Sequence, residues 1–165
     1  MKLIVADTSP LIVVARSRLV PVLKQVAEEV VLPATVYAEC TLDMGRPGAQ
    51  AIRAAVVAGK LAVHPDVHPS RLDVEDETPA LDEGERAAIA LAQALGCPLL
   101  IDERHGRQAA LRGGLTVIGS LGILLEAKRR GAIPAVAPIV QQWRAWGYFL
   151  SESLVKAVLE RAGEA

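Results

Sequence analysis

Residues 2–10 read Lys-Leu-Ile-Val-Ala-Asp-Thr-Ser-Pro, and this stretch decides the class of fold. The aliphatic and β-branched side chains up to Ala6 favour a β-strand. The polar residues from Asp7 to Ser9, with Pro10 close behind, are typical of the first turn of an α-helix. A strand that passes directly into a helix is the first half of a β–α unit, so the stretch predicts an α/β protein.

The same alternation continues along the rest of the chain. Further strands are predicted at residues 29–32, 60–64, 98–101 and 115–118. Helices are predicted from the first strand to about residue 28, then at 33–40, up to 59, and at 84–95, 103–112, 120–130, 135–146 and 152–162, with a loop at 65–81. Because no two strands are joined by a two-residue hairpin turn, we expect a three-layer α/β/α fold with a central parallel sheet of about five strands. We expect a single domain over residues 1–165, in which residues 120–165 form a helical C-terminal extension.

Composition agrees with such a fold. Of the 165 residues, 52% are hydrophobic and only 3% are aromatic, so the core must be aliphatic, as in helices packed on a sheet. The net charge of −1 means that the whole molecule does not attract nucleic acid by charge alone. We expect a cytoplasmic protein with no membrane partner, because apolar runs are short, no signal-peptide pattern is present, and the two cysteines lack CxxC spacing.

Acidic residues follow two of the predicted strands. In open parallel sheets, ligands bind at the carboxyl ends of the strands, where the strand order reverses. Asp7 follows the first strand and Asp102 follows the fourth. Glu85 lies in the first turn of the helix that leads to the fourth strand, and Glu39 lies in the helix after the second. If the first and fourth strands are neighbours, these acids face one crevice.

Converging acids repel one another unless a cation or protons neutralise them. Mg²⁺ and Mn²⁺ prefer oxygen ligands, and such a metal can polarise a phosphodiester and activate water. Each acid also has an ordinary structural interpretation. Asp7 and Asp102 would suit helix N-caps, Glu85 would complement a helix dipole, and Glu39 would be a surface residue. Spacing alone leaves both interpretations open.

Other classes that place a ligand after the first strand fit the sequence poorly. A dinucleotide-binding domain needs a GxGxxG turn there, and the residues after Ala6 do not form one. A phosphatase of the haloacid-dehalogenase type would resemble DxDxT, but Ser9 stands at the second acid. A phosphate-receiver domain would need a lysine after the last strand, where this chain has Gly119.

Four stretches resemble, in order and spacing, the motifs of the PIN-domain family. They are Asp7-Thr8-Ser9-Pro10-Leu11-Ile12, Val36-Tyr37-Ala38-Glu39, Glu85-Arg86-Ala87-Ala88-Ile89-Ala90-Leu91-Ala92 and Leu99-Leu100-Ile101-Asp102. The stretches 81–85, 101–107 and 119–124 further resemble a prokaryotic PIN-like group, so the likeness covers about the whole chain. Two positions differ from common PIN sequences: Leu100 stands where Thr or Ser is frequent, and Glu85 stands where Asp is.

The resemblance implies a metal-dependent endoribonuclease, related to the toxin components of toxin–antitoxin pairs and often dimeric. Asp7, Glu85 and Asp102 would hold or position Mg²⁺ or Mn²⁺, and Glu39 would orient the attacking water. Thr8 and Ser9 would hold Asp7 through hydrogen bonds. The expected partners are RNA, a second copy of the chain and an antitoxin protein. The alternative is a catalytically weak PIN-fold module that binds RNA or protein.

Two further groups of residues have alternative interpretations. Arg104, His105 and Arg107 lie just past Asp102, where they would either contact RNA phosphates or form a solvated helix face. Most of the aromatic residues lie near the C-terminus, together with an apolar tail. Base stacking is one use for them, but packing of a terminal helix or a dimer contact is favoured. The residues concerned are Trp143, Trp146, Tyr148, Phe149, Leu150, Leu154, Val155, Val158 and Leu159.

Overall fold

The computed structural model describes residues 1–67 and 81–165. Five strands form one sheet in the order β3-β2-β1-β4-β5, and every neighbouring pair is parallel. The strands are β1 (Leu3–Ala6), β2 (Glu29–Pro33), β3 (Ala62–His64), β4 (Leu99–Leu100) and β5 (Val117–Ile118). Helices flank this sheet, which confirms the predicted three-layer α/β/α fold. Most of the loop predicted at 65–81 lies outside the described residues, because these exclude 68–80.

The helices mostly begin and end within a few residues of their predicted positions. They are α1 (Thr8–Arg16), α2 (Val20–Val26), α3 (Ala34–Thr41), α4 (Ala49–Val57), α5 (Glu83–Leu95), α6 (Arg104–Arg112), α7 (Ser120–Arg129), α8 (Ala137–Ala145) and α9 (Glu152–Arg161). The helical stretch predicted from the first strand to about Glu28 is interrupted and forms two helices, α1 and α2. Arg18 adopts a left-handed φ of 60°, and Pro21, which cannot donate a backbone hydrogen bond, stands at the start of α2. The chain therefore turns between two short helices.

The central strand β1 explains why the sheet is apolar throughout. Ile4, Val5 and Ala6 are fully buried, as expected for a strand covered by helices on both faces. The register aligns Val5 with Val31 of β2 and with Leu99 of β4. The carboxyl ends of β1 and β4 therefore lie side by side in the middle of the sheet.

The C-terminal segment packs on the rest of the chain. Trp143 of α8 is fully buried, and its indole Nε1 donates a hydrogen bond to Ser17 Oγ at 2.5 Å. Val155 and Val158 of α9 are also buried, and α9 packs on α7. Phe149 remains 88% exposed. Packing of the terminal helix, one of the two interpretations favoured from the sequence, thus accounts for much of the apolar tail, and the dimer contact stays a prediction.

None of the helices within residues 1–67 and 81–165 has the length and apolar character needed to cross a membrane.

Candidate functional site

Asp7 and Asp102 follow two strands that pair directly. The backbone N–H of Asp7 donates to the Leu100 carbonyl at 2.9 Å, so the end of β1 is held against the end of β4. Asp102 follows two residues after Leu100. The strand order changes direction between β1 and β4, because β2 follows β1 on one side while β4 lies on the other. β1 and β4 are therefore neighbours, as the predicted crevice requires.

Asp7 is the most buried of the four acids. It is 3% exposed, and its Oδ1 has no hydrogen-bond partner among the described residues. Burial raises the pKa of Asp7 to about 7, and the charges of Glu85, Asp82 and Glu39 act in the same direction, while a hydrogen bond from the Thr8 backbone lowers it. Although Asp7 occupies the N-cap position of α1, its side chain makes no capping hydrogen bond. Helix capping therefore does not explain this carboxylate.

Contacts with Thr8 and Gly84 place the side chain of Glu39 at the carboxyl end of the sheet, on the same side as Asp7. The Thr8 hydroxyl donates to Glu39 Oε2 at 2.7 Å, whereas the Thr8 backbone hydrogen-bonds Asp7. Thr8 therefore contacts both acids, Asp7 through its backbone and Glu39 through its side chain. A Cβ atom on Gly84 would lie only 2.4 Å from Glu39 Oε2. The carboxylate of Glu39 thus packs directly on the first turn of α5, in the space that the absent side chain leaves.

Glu85 has a clear structural role. Its backbone N–H donates to Asp82 Oδ1 at 2.8 Å, and its Oε2 accepts from the Asp82 backbone N–H at 3.2 Å. This pair forms a capping box at the start of α5. Burial raises the pKa of Glu85 to about 7, with further contributions from Asp82, Glu103 and Glu39 against the lowering effect of the Asp82 backbone. Glu85 therefore takes part in the start of α5, as its structural interpretation predicted. The negative charges of the other acids also act on its carboxyl group.

Asp102 is held by two donors from the C-terminal part of the chain. Its Oδ1 accepts from the Ser120 backbone N–H at 2.7 Å, and its Oδ2 accepts from the Tyr148 hydroxyl. It does not cap α6, because the N-cap there is Glu103, whose Oε2 accepts from Gly106 at 2.7 Å. Burial and then the charge of Asp102 raise the pKa of Tyr148 well above its usual range, so the hydroxyl stays protonated and can donate.

Tyr148 was not among the site residues predicted from the sequence. The available signal was the concentration of aromatic residues near the C-terminus, but this pattern says nothing about which strand end the segment reaches. The hydrogen bond to Asp102 depends on how the turn after α8 folds back over the sheet edge.

Of the three basic residues predicted near the acids, Arg107 approaches the same glycine as Asp102. Its Nη1 donates to the Ile101 carbonyl at 3.1 Å. A Cβ atom on Gly119 would lie 2.9 Å from both Arg107 Nη1 and Asp102 Oδ1, so the two side chains approach the same glycine. Arg104 and His105 are exposed on the first turn of α6.

The donor set suits a hard divalent cation held by few protein ligands. Within residues 1–67 and 81–165, no group of three His, Cys, Asp or Glu side chains is arranged to hold one metal ion. Mg²⁺ nevertheless keeps several waters and binds through one or two carboxylates. The unpartnered Oδ1 of Asp7 offers one such oxygen, and a cation would offset both the burial and the neighbouring charges that raise the pKa of this carboxyl group. The residues therefore fit Mg²⁺ or Mn²⁺ better than zinc, which favours nitrogen and sulfur.

A family model described as PIN domain matches residues 3–164, so the chain belongs to the PIN-domain family. PIN domains have a nuclease-type fold: they are generally nucleases, typically use divalent metals and in general bind RNA. A search of curated proteins found no match.

Proposed function

We propose that the protein is a metal-dependent endoribonuclease of the PIN type that hydrolyses phosphodiester bonds in RNA. The observation that carries this proposal is the buried carboxylate of Asp7. It stands at the carboxyl end of the central strand with an unpartnered oxygen, and burial, together with the charges of Glu85, Asp82 and Glu39, raises its pKa. An ionised acid in such a position costs stability, and binding a cation would offset that cost.

Each acid has a role in the proposed site. Asp7 supplies the main metal ligand, while Glu85 and Asp102 complete or position the ligand set. Glu39, placed by Thr8, orients the attacking water, and Arg107 is the best placed of the basic residues to receive a phosphate near Asp102. When bound, Mg²⁺ or Mn²⁺ would polarise the phosphodiester and stabilise the leaving oxygen.

The broader biological setting is proposed from the family alone. From the resemblance to the family we propose a toxin role with a cognate antitoxin, and a homodimeric state. The organisation of residues 1–165 as a single domain stays a prediction. The second candidate is a binding module on the same scaffold. The observation that favours it is that Glu85 and Asp102 already have hydrogen-bond partners within the chain.

The proposal predicts that the metal-stripped protein cleaves single-stranded RNA only after Mg²⁺ or Mn²⁺ is restored. Cleavage is followed by gel electrophoresis of an end-labelled RNA, with excess chelator as the blank. Glu29→Gln is the matched control, because this exposed acid stands at the start of β2, at the end of the strands opposite to the acids. We expect the control to cleave like the wild type. A protein that binds RNA and metal but cleaves no RNA would favour the binding module.

The close packing of Glu39 on Gly84 provides a separate test of the role of Glu39. Gly84→Ala should leave the fold intact, because the atoms that must move are the end of a flexible side chain and alanine favours helix. The displaced carboxylate should lower the cleavage rate on the order of tenfold to a hundredfold. If Glu39 is the group affected, adding Gly84→Ala to Glu39→Gln should cause little further loss. Fully additive losses in rate would contradict this assignment.

A further inference from the structure

A groove of about 230 Å³ lies beside the acids, between α1 and the turn that follows α8. We name it the Trp146 groove; its lining residues are Ser9, Ile12, Val13, Arg16, Trp146, Gly147 and Tyr148. Two of these residues connect it to the candidate site. Ser9 follows Asp7 by two positions, and the Tyr148 hydroxyl donates to Asp102 Oδ2. The groove therefore runs up to the edge of the sheet where the acids lie.

The walls of the groove carry an aromatic ring and a cation in contact. The guanidinium carbon of Arg16 lies 4.1 Å from the ring centroid of Trp146. Arg16 is exposed and Trp146 is half-buried, so both reach the surface. Unpaired bases stack on aromatic rings and on arginine planes, and arginine also attracts phosphate. The Trp146 ring and the Arg16 guanidinium are thus groups of the kind that a single-stranded nucleotide contacts.

The groove is held open by packing beneath it. The buried Trp143 contacts the Tyr148 ring edge-to-face, with 6.0 Å between the centroids, and its indole is hydrogen-bonded to Ser17 just after α1. Gly147 has a left-handed φ of 83°, which lets the chain reverse between Trp146 and Tyr148. This packing supports the floor of the groove, which lowers the entropic cost of ordering it when a ligand binds.

We infer that the Trp146 groove binds one unpaired nucleotide of the RNA, adjacent to the bond that the acids address. This inference rests on the proposed function for the presence of RNA. The volume lies below the roughly 300–1,000 Å³ typical of small-molecule pockets, so the groove has room for no more than one nucleotide. Charge favours it as well, because Arg16 supplies the groove with a positive group that attracts a phosphate of the RNA backbone.

Binding can be measured apart from cleavage in the Asp7→Asn background. In that background, Trp146→Leu and Arg16→Gln should each weaken binding of a labelled single-stranded oligoribonucleotide of about ten residues by roughly tenfold. Arg53→Gln is the matched control for charge, because Arg53 is exposed on α4 and lines a different groove. We expect its Kd to stay within about twofold of the background protein. Trp146→Phe, which keeps a ring, should restore most of the affinity lost in Trp146→Leu.

Fluorescence gives a direct readout of the groove. The chain has two tryptophans, and Trp143 is fully buried. Adenosine monophosphate should therefore quench the fluorescence of Trp146, and Trp146→Leu should abolish the quenching while the Trp143 emission remains. Thermal melts of each variant show whether the fold is kept, and Trp146→Phe carries the test if Trp146→Leu unfolds.

The outcomes separate this inference from the proposed function. Cleavage by the wild type with equal Kd values for all the variants would overturn the groove assignment and leave the nuclease in place; the groove would then serve another ligand, such as a protein segment. Groove-dependent binding without any cleavage would support the groove and contradict the nuclease. Binding of neither the oligoribonucleotide nor the nucleotide would overturn the groove, whereas the cleavage assay decides the nuclease.

Discussion

Asp7→Asn is expected to abolish metal-dependent RNA cleavage, with a loss of at least about 10²–10³-fold in rate. The physical reason is the position of this carboxylate. Its Oδ1 is buried without a partner at the end of β1, and a neutral amide binds Mg²⁺ or Mn²⁺ far more weakly than a carboxylate does. The backbone of residue 7 should not move, because its N–H bond to Leu100 does not depend on the side chain.

Metal binding by the same variant can be read without any substrate. Wild-type protein should melt at a higher temperature when Mn²⁺ is added, because a ligand that binds only the folded state stabilises it. Asp7→Asn should gain much less, and Asp102→Asn should also gain less if its carboxylate completes the ligand set. Glu29→Gln should gain as much as the wild type, since Glu29 stands at the end of the strands opposite to the acids. Equal gains in all four proteins would show that the metal binds elsewhere.

The second large effect is expected in the pH dependence of stability of the metal-free protein. Folding raises the pKa of Asp7 from 3.8 to about 7 and that of Glu85 from 4.5 to about 7. Between these limits the folded state holds protons that the unfolded state has released. The free energy of unfolding should therefore fall as the pH rises from about 4 to about 7 and level off above this range. For Asp7 the fall corresponds to up to roughly 4 kcal/mol.

Two other acids determine how stability changes below this pH range. Hydrogen bonds from Arg129 and Arg130 lower the pKa of Glu126 to about 2, and backbone and Lys128 donors do the same for Glu164. Their contributions are present above about pH 4.5 and are lost as the pH falls towards 2. The metal-free protein should consequently be most stable at mildly acidic pH, which is unusual for a protein with ordinary carboxylates.

Urea unfolding at a series of pH values in the presence of a chelator measures this profile. Asp7→Asn should flatten the fall between pH 4 and pH 7, leaving mainly the part that Glu85 contributes. Mn²⁺ should raise the wild-type stability most at the upper end of the range, because the cation neutralises the ionised acids. A wild-type profile that rises from pH 4 to pH 7 without metal would mean that burial and the neighbouring charges do not raise the pKa values of Asp7 and Glu85 as inferred.

Much of the fold follows from local features of the sequence. The apolar runs that end in Asp7 and Asp102, each followed by a helix, predicted the parallel sheet, because both signals depend only on neighbouring residues. The break between α1 and α2 was missed, since a left-handed residue such as Arg18 has no strong signature in sequence. The capping box of Asp82 and Glu85 could have been recognised, because a polar residue followed three positions later by Glu is a local motif.

The sequence by itself determined the α/β class, the family motifs and the four acids at strand ends or within helices. Only the tertiary structure decided how those acids are held. The Thr8 hydroxyl hydrogen-bonds Glu39, and Gly84 leaves room for the Glu39 carboxylate. The Tyr148 hydroxyl hydrogen-bonds Asp102, which lies 46 positions away in the chain. Periodicity and spacing report on contacts within a few residues, whereas these contacts depend on the strand order and on the reversal of the chain after α8. The Trp146 groove depends on the same reversal, so it has no counterpart in the sequence pattern.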